Sequence, residues 1–149
     1  MKLGDWYESK QQRPDLALSC FQAVLATDPS HDLALDGLTA LYRKSQQWSE
    51  LGSLLLTRGR SATDPARGRE WLCEAASLLE QHLGNAAAAR EIYEEVLDAD
   101  PTHTRARELL ANRYEESGDH AALVRLLESH AGFLRGDERK KLLTRVAEL

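Results

Sequence analysis

The sequence predicts an all-helical chain, and three observations support this fold class. Leucine and alanine supply 26 and 20 of the 149 residues, whereas valine and isoleucine together supply 5. Sheets are enriched in β-branched residues and helices in leucine and alanine, so this balance favours helices. No segment alternates apolar and polar residues over the length of a strand. The dipeptide Asp-Pro also recurs at a fixed spacing, which is typical of a helical solenoid.

The repeat is visible first in three Asp-Pro dipeptides spaced 36 residues apart: Asp28-Pro29, Asp64-Pro65 and Asp100-Pro101. Proline interrupts helices because it lacks the N–H group and clashes with the preceding turn, so each dipeptide marks a helix boundary. A stronger match appears at 72 residues, where 13 of 39 positions are identical between 17–55 and 89–127. The chain is therefore predicted to alternate two kinds of unit of about 36 residues.

Each unit is predicted to hold two helices. After the first Asp-Pro turn, Ser30 is expected to cap a helix whose apolar stripe includes Leu38 and Tyr42. That helix is predicted to end at residues 45–47. The second helix of the pair follows with the apolar stripe Trp48, Leu51, Leu54 and Leu55.

The later units repeat this plan. Asp64 is predicted to cap a helix with Pro65 at its first position, which is a favourable pairing. Gly84-Asn85 then separates this helix from its partner. In the next unit Thr102 is the expected cap. Gly118-Asp119 is the expected turn between the helices that carry Leu110 and Tyr114, and then Leu123, Leu126 and Leu127.

The first helix of each unit resembles that of a tetratricopeptide repeat (TPR), whose pattern is W-x2-L-G-x2-Y followed by a small residue, an aromatic residue and a proline. Leu3-Gly4 with Tyr7 matches the start of this pattern, and Ala17, Phe21 and Pro29 continue it. The resemblance covers the whole chain and is nearest to divergent arrays of bacterial proteins. It implies a right-handed α-solenoid of about four antiparallel helix pairs plus a terminal helix. The implied units of this single domain, 1–149, are 1–29, 30–63, 64–101 and 102–135, with another helix pair starting at 136–149.

Some positions depart from the TPR pattern. Arg107 occupies a position that is normally a large apolar residue, and Leu55 and Leu127 replace an aromatic residue of the second helix. His120 takes the position of Trp48 72 residues later, so it is expected to pack in the same way.

The sequence holds no recognisable set of catalytic residues, so the chain is expected not to be an enzyme and to need no cofactor and no metal. Its five histidines form no H-E-x-x-H motif, and its nine glycines form no phosphate-binding loop. His31 and His103 are equivalent positions just after Asp-Pro turns. They are therefore expected to start helices rather than to bind a metal.

The charge and the cysteine content indicate which classes of partner and which cellular compartment the sequence favours. A net charge of −5 gives no electrostatic reason to expect binding to nucleic acid or to a membrane surface. No signal peptide and no apolar run near 18 residues is found. Cys20 and Cys73 are 53 residues apart without a metal-binding spacing, so they are expected to be reduced and buried. These features predict a cytoplasmic protein.

The TPR resemblance also implies a binding groove lined by the first helix of each pair. Its predicted partner-binding residues are Asp36, Ala40, Arg43, Lys44, Glu70, Ser77, Glu80, Arg105, Glu108, Asn112 and Glu115. A groove clamp for a terminal carboxylate is disfavoured, because Glu108 lies one turn before Asn112. Two charged segments are also present, 58–69 with net charge +3 and 70–100 with net charge −7. Both are interpreted as solvated faces. The more specific hypothesis is that the acidic segment forms a stripe that binds a basic segment of a partner.

The chain is predicted to be a non-catalytic protein–protein interaction scaffold that binds a peptide or partner domain through the groove or the acidic face. One alternative is a regulatory segment of a larger multidomain enzyme such as a kinase or protease. A helical-repeat RNA binder is a further alternative, which the net charge disfavours. Four 36-residue units account for 144 of the 149 residues, and both ends fall within helical motifs. The sequence therefore suggests a longer solenoid or self-association through open ends.

Overall fold

The computed structural model describes residues 14–149, and all regular secondary structure in that range is helical. The helices are α1 Pro14–Thr27, α2 Asp32–Lys44, α3 Trp48–Ser61, α4 Pro65–Gln81, α5 Ala86–Ala99, α6 Thr104–Ser117, α7 His120–Ala131 and α8 Gly136–Ala147. Consecutive helices pack against each other. The all-helical prediction is therefore confirmed. The TPR matches at Leu3, Gly4 and Tyr7 lie outside the described residues.

The helix that follows each of two Asp-Pro turns is capped by a histidine. Nδ1 of His31 accepts a hydrogen bond from the backbone N–H of Ala34 at 3.2 Å, and Nδ1 of His103 accepts one from Ala106 at 3.1 Å. The expectation that these histidines start helices is confirmed. The predicted cap at Ser30 is wrong, because the turn itself occupies that side chain.

The reason lies in the turn that precedes each cap. The backbone N–H and the hydroxyl of Ser30 both donate to Oδ1 of Asp28, at 3.1 and 2.8 Å, and Thr102 donates in the same way to Asp100. These hydrogen bonds lower the pKa of both aspartates, with the side-chain hydrogen bond as the largest cause. Thr102 is therefore also not the cap that the sequence predicts.

The other predicted boundaries are confirmed. Oδ1 of Asp64 accepts from the N–H of Ala66 at 3.0 Å, with Pro65 at the first position of α4. Between α6 and α7, Gly118 has φ +71°, a left-handed conformation that glycine adopts without a steric penalty. The equivalent position between α2 and α3 is Gln46, which has φ +57° despite its Cβ.

The apolar stripes of successive helices form the core. The largest cluster of buried residues runs across α4 to α7 and includes Leu72, Tyr93 and Leu123. Phe21 of α1 lies against Gly37 of α2, where a Cβ would be 2.3 Å from Cζ of the ring. Ala76 of α4 is fully buried in the cluster that runs across α4 to α7.

The aromatic position of the second helix differs between units. The ring of Trp48 stacks on His82 with centroids 4.0 Å apart. His120, its equivalent, is exposed, so the expectation that it packs like Trp48 is wrong.

The two cysteines have different surroundings, and both are free thiols. Cys73 of α4 is fully buried, whereas Cys20 of α1 is only half-buried, so the expected burial holds for Cys73 alone. Burial raises the pKa of Cys73 to about 11. Among the described residues, no helix has the length and apolar character needed to cross a membrane.

Candidate interaction surface

The predicted partner-binding residues lie on three alternate helices. Those on α2 are Asp36, Ala40, Arg43 and Lys44; those on α4 are Glu70, Ser77 and Glu80; those on α6 are Arg105, Glu108, Asn112 and Glu115. Most of the charged ones contact the next alternate helix rather than solvent alone.

Ion pairs join these alternate helices directly. Arg43 of α2 pairs with Glu74 of α4, and Nη1 of Arg105 on α6 donates to Oε2 of Glu70 on α4 at 2.7 Å. Nη2 of Arg145 on α8 likewise donates to Oε1 of Glu115 on α6 at 2.6 Å. Ion pairs therefore link α2, α4, α6 and α8 in sequence order.

Glu70 and Glu80 both anchor α6 on α4. The second carboxylate oxygen of Glu70 lies 3.2 Å from Nε2 of His103, the residue that caps α6. The hydrogen bond to Glu70 raises the pKa of Arg105. Further along α4, Oε1 of Glu80 forms an ion pair with Arg113, although this oxygen accepts no hydrogen bond within the described residues. Both ends of the α4–α6 contact are therefore electrostatically matched.

Of the remaining predicted residues, Asp36 pairs with Arg58 of α3 and Lys44 is exposed at the end of α2. The other four divide into two groups. The hydroxyl of Ser77 is 3.1 Å from the hydroxyl of the buried Tyr93, so Ser77 supports the core. Ala40, Glu108 and Asn112 are exposed on the face that the alternate helices share. The structure thus leaves a part of the predicted set available to a partner and uses the rest to hold the helices together.

The acidic segment 70–100 is largely neutralised by arginines from other parts of the chain. Glu95 of α5 forms two hydrogen bonds with Arg60 of α3, at 3.2 and 2.9 Å. Asp100 lies 3.4 Å from Nε of Arg69. These partners are outside the segment, so its net charge in the sequence overstates the negative charge of the surface.

Glu94, on the same acidic segment, is held by a different contact. The hydroxyl of Tyr114 donates to Oε1 of Glu94 at 2.8 Å. Burial, with that carboxylate second, raises the pKa of Tyr114 to about 12. Among the acidic residues of the segment, Glu91 and Asp98 have no ion pair within the described residues. A continuous acidic stripe is therefore reduced to a few positions.

The sequence contains a signal for these contacts that composition does not reveal. Opposite charges recur about one repeat apart, such as Arg43 with Glu74 and Glu70 with Arg105. Such residues occupy nearby positions on neighbouring units, so a search for opposite charges 30–35 residues apart would have included these ion pairs among its candidates.

Arg58 of α3 is the side chain that the sequence analysis missed. It was counted in the basic segment 58–69, yet it is 5% exposed and is the buried charged residue among those described. Its Nη1 lies 3.0 Å from Oδ1 of Asp36 and donates to the hydroxyl of Thr39 at 3.5 Å. Its Nε and Nη2 have no hydrogen-bond partner within the described residues. Leaving buried donors without a partner costs about 1–3 kcal/mol.

A cavity of about 500 Å³ lies beside Arg58. Its wall includes Leu35 and Leu54 together with Arg58, Arg67 and Trp71. The guanidinium carbons of Arg58 and Arg67 lie 4.2 and 5.0 Å from the centroid of the Trp71 ring, which is the distance of a cation–π contact.

The equivalent cavity, 72 residues later, has a volume of about 390 Å³ and is lined by different side chains. Its wall contains Arg107 and His130 at the positions of Leu35 and Arg58. Nη1 of Arg107 lies 3.0 Å from Nδ1 of His130. Burial lowers the pKa of His130, and the charge of Arg107 lowers it further. The departure from the TPR pattern at Arg107 therefore places a cation against a histidine.

The described residues contain no group of three or more histidine, cysteine, aspartate or glutamate side chains that could hold a metal ion. No family model matches the chain, and no curated protein matches it. The described part of the chain is thus characterised by its structure alone: it is all-helical, and ion pairs join alternate helices.

Proposed function

We propose that the chain is a non-catalytic scaffold for protein–protein interaction, built as a right-handed TPR-like solenoid in the cytoplasm. A peptide or partner domain would bind the face that the first helix of each pair forms. One observation carries this proposal: ion pairs link α2, α4, α6 and α8 in sequence order. Their exposed residues then make one surface that extends along the chain.

The ion pairs also support binding through rigidity. A surface that is already held in its bound shape loses less conformational entropy when a partner binds. Exposed ion pairs contribute only about 0.2–1 kcal/mol each, so the packing of consecutive helices supplies most of this rigidity and the ion pairs add to it. Ala40 on α2 and Asn112 on α6 are exposed positions on this face and can contact a partner without breaking an ion pair.

Site-specific photo-crosslinking tests the proposal. A photo-reactive amino acid is placed at Ala40 or Asn112 and, as a matched control, at the exposed Glu91 of α5. We expect a defined protein adduct from the two first-helix positions and little adduct from Glu91. An equal yield from all three positions would contradict the proposal. An adduct that nuclease removes would instead favour the RNA-binding alternative.

A further inference from the structure

The helix α8 contacts α6 and α7 in the way that α4 contacts α2 and α3. In the earlier units, Arg43 of α2 forms an ion pair with Glu74 of α4. The positions 72 and 71 residues later are Glu115 of α6 and Arg145 of α8, which form the same ion pair with the charges exchanged. Helix α8 also packs on α7, as α4 packs on α3. The surroundings of α4 therefore show what an equivalent helix can bind.

The two helices differ in what covers their remaining apolar side. On α4, Leu72 and Ala76 are 6% and 0% exposed, and they lie in the buried cluster that includes Ile92 of α5. The equivalent residues of α8, 71 residues later, are Leu143 and Ala147. Both are exposed, Leu143 to 42%. Among the described residues, the apolar side that α5 covers on α4 is thus left open on α8.

Helix α5 shows which kind of segment covers this side of α4. It is amphipathic: Ala89, Ile92 and Val96 are buried in the shared cluster, whereas most of its other residues are exposed. Charge also contributes to the contact, since Asp100, the residue that caps the end of α5, lies 3.4 Å from Nε of Arg69 on α4. An equivalent cover for α8 therefore needs a small apolar stripe and a carboxylate near its end.

The charges beside the open side of α8 are positive. Lys140 stands 71 residues after Arg69, and both Lys140 and its neighbour Arg139 are exposed without an ion pair in the described part of the chain. With 3.6 residues per turn, both lie within about 60° of Leu143 around the helix, whereas the acidic residues of α8 lie more than about 100° away. No carboxylate of α8 therefore neutralises this side, and a covering helix that carries carboxylates finds two cations.

A second copy of the chain fits this side less well than an acidic helix does. If α8 of one copy packed on α8 of another through Leu143, Arg139 and Lys140 of both copies would meet at the same interface. Like charges in such positions oppose binding, whereas aspartate or glutamate on the covering helix favours it. The charges therefore favour a partner of different sequence.

We propose that this side of α8 is a second interaction surface, which binds an acidic amphipathic helix of a partner protein as α4 binds α5. The small apolar stripe of the partner packs on Leu143 and Ala147, and its carboxylates pair with Arg139 and Lys140. The proposed scaffold face uses another side of α8, where Arg145 pairs with α6. The inference therefore goes beyond the proposed function and is tested at different residues.

Titration of the whole chain with a synthetic peptide, followed by NMR, tests the proposal. The probe is an acetylated and amidated peptide with the sequence of residues 85–101, because this segment contains α5 and the acidic residue that follows it. We expect saturable shifts of the backbone signals of Leu143 and Ala147. A control peptide with Ile92→Gln and Val96→Gln keeps the charges and loses the apolar stripe, so it should bind about tenfold more weakly.

Exchange of charges between the chain and the peptide tests the pairing at physiological salt. Lys140→Glu in the chain should lower the affinity for the peptide about threefold, and a peptide with Asp100→Lys should restore it. Lys141→Glu is the matched control, because it makes the same change one residue later, where the side chain lines a cavity with Arg107 and His130. Affinity in this control should change less than twofold.

Leu143→Glu tests the apolar part of the surface and should lower the affinity about tenfold. If this variant does not fold, Lys140→Glu at an exposed position still tests the proposal. Equal binding of the two peptides, unchanged affinity in Lys140→Glu, or no shift of Leu143 at millimolar peptide would overturn the proposal. Shifts confined to other helices would also overturn it, as when the peptide displaces the α5 of the chain itself. Concentration-dependent shifts of Leu143 without peptide would identify a second copy as the occupant and would overturn it too.

Discussion

A Cβ atom built on Gly68 would lie 2.6 Å from the carbonyl oxygen of Gly59. Gly59 is near the end of α3 and Gly68 is in the first turns of α4, so the two backbones are nearly in contact. A Cβ at this distance from a carbonyl oxygen cannot be accommodated by a change of rotamer. The two glycines therefore set how closely these helices pack.

Gly68→Ala should destabilise the fold. The added methyl group forces α3 and α4 apart, at a cost that exceeds the gain in helix propensity, and the net loss should be about 1–2 kcal/mol in the free energy of unfolding. Gly52→Ala is the matched control on α3, because a Cβ there would meet nothing within 4 Å. It should stabilise the chain by about 0.5–1 kcal/mol. Urea denaturation measures both, and equal effects of the two changes would contradict the close contact.

The Glu80–Arg113 ion pair should couple α4 to α6 more strongly than the more exposed pairs do. Its side chains are 14% and 29% exposed, compared with 42% and 57% for Glu115 and Arg145. Less solvent screening predicts a coupling of about 1 kcal/mol for the first pair and a few tenths for the second. Double-mutant cycles with alanine measure both values in urea. A coupling for Glu80–Arg113 no larger than that for Glu115–Arg145 would contradict this prediction.

Cys73 should be almost unreactive in the folded chain. Burial raises its pKa to about 11, so only about one thiol in a thousand is ionised at pH 8. The thiolate is the reacting form, and the side chain is also inaccessible. We expect the Cys20→Ser variant to react with Ellman's reagent only after unfolding in urea. The Cys73→Ser variant, which keeps the half-buried Cys20, should react without urea. Rapid modification of folded Cys20→Ser would show that Cys73 is not buried.

The stability of the chain should fall in mildly acidic solution partly because of His130. Burial and Arg107 lower its pKa in the folded state, while Glu138 opposes this shift. As the pH falls through the unfolded value of about 6.5, the unfolded chain binds the proton first, and stability decreases until the folded state also titrates. His130→Gln should reduce the loss of stability between pH 7 and pH 5, as measured by urea denaturation. His120→Gln, at an exposed position of α7, is the control. Identical pH dependence in His130→Gln and the unmodified chain would refute this role.

Local sequence signals predicted the helices well because the groups that start and end a helix are close in sequence. Asp64 with Pro65, and Gly118 with Asp119, stand where the sequence placed them. The prediction failed at Ser30, where two local contacts compete: Asp28 binds its hydroxyl, and the next residue becomes the cap.

Only part of the candidate surface could be predicted. The helix that carries each residue was correct, since it follows from the repeat. The environment of Arg58 was not predictable from its own segment, which is rich in arginine. Asp36 of α2 and Trp71 of α4 surround it only after three helices have packed.

The sequence by itself determined the helical fold class, the repeat of about 36 residues and most helix boundaries, because these depend on side chains within a few residues of each other. Tertiary structure decided which charges pair with each other. Arg43 and Glu74, or Arg60 and Glu95, are 31 and 35 residues apart in the chain and meet only when alternate helices lie side by side. Coulomb attraction between exposed groups is largely screened beyond about 8–10 Å at physiological salt. The pairing of charges therefore depends on packing, whereas the helices depend on local sequence.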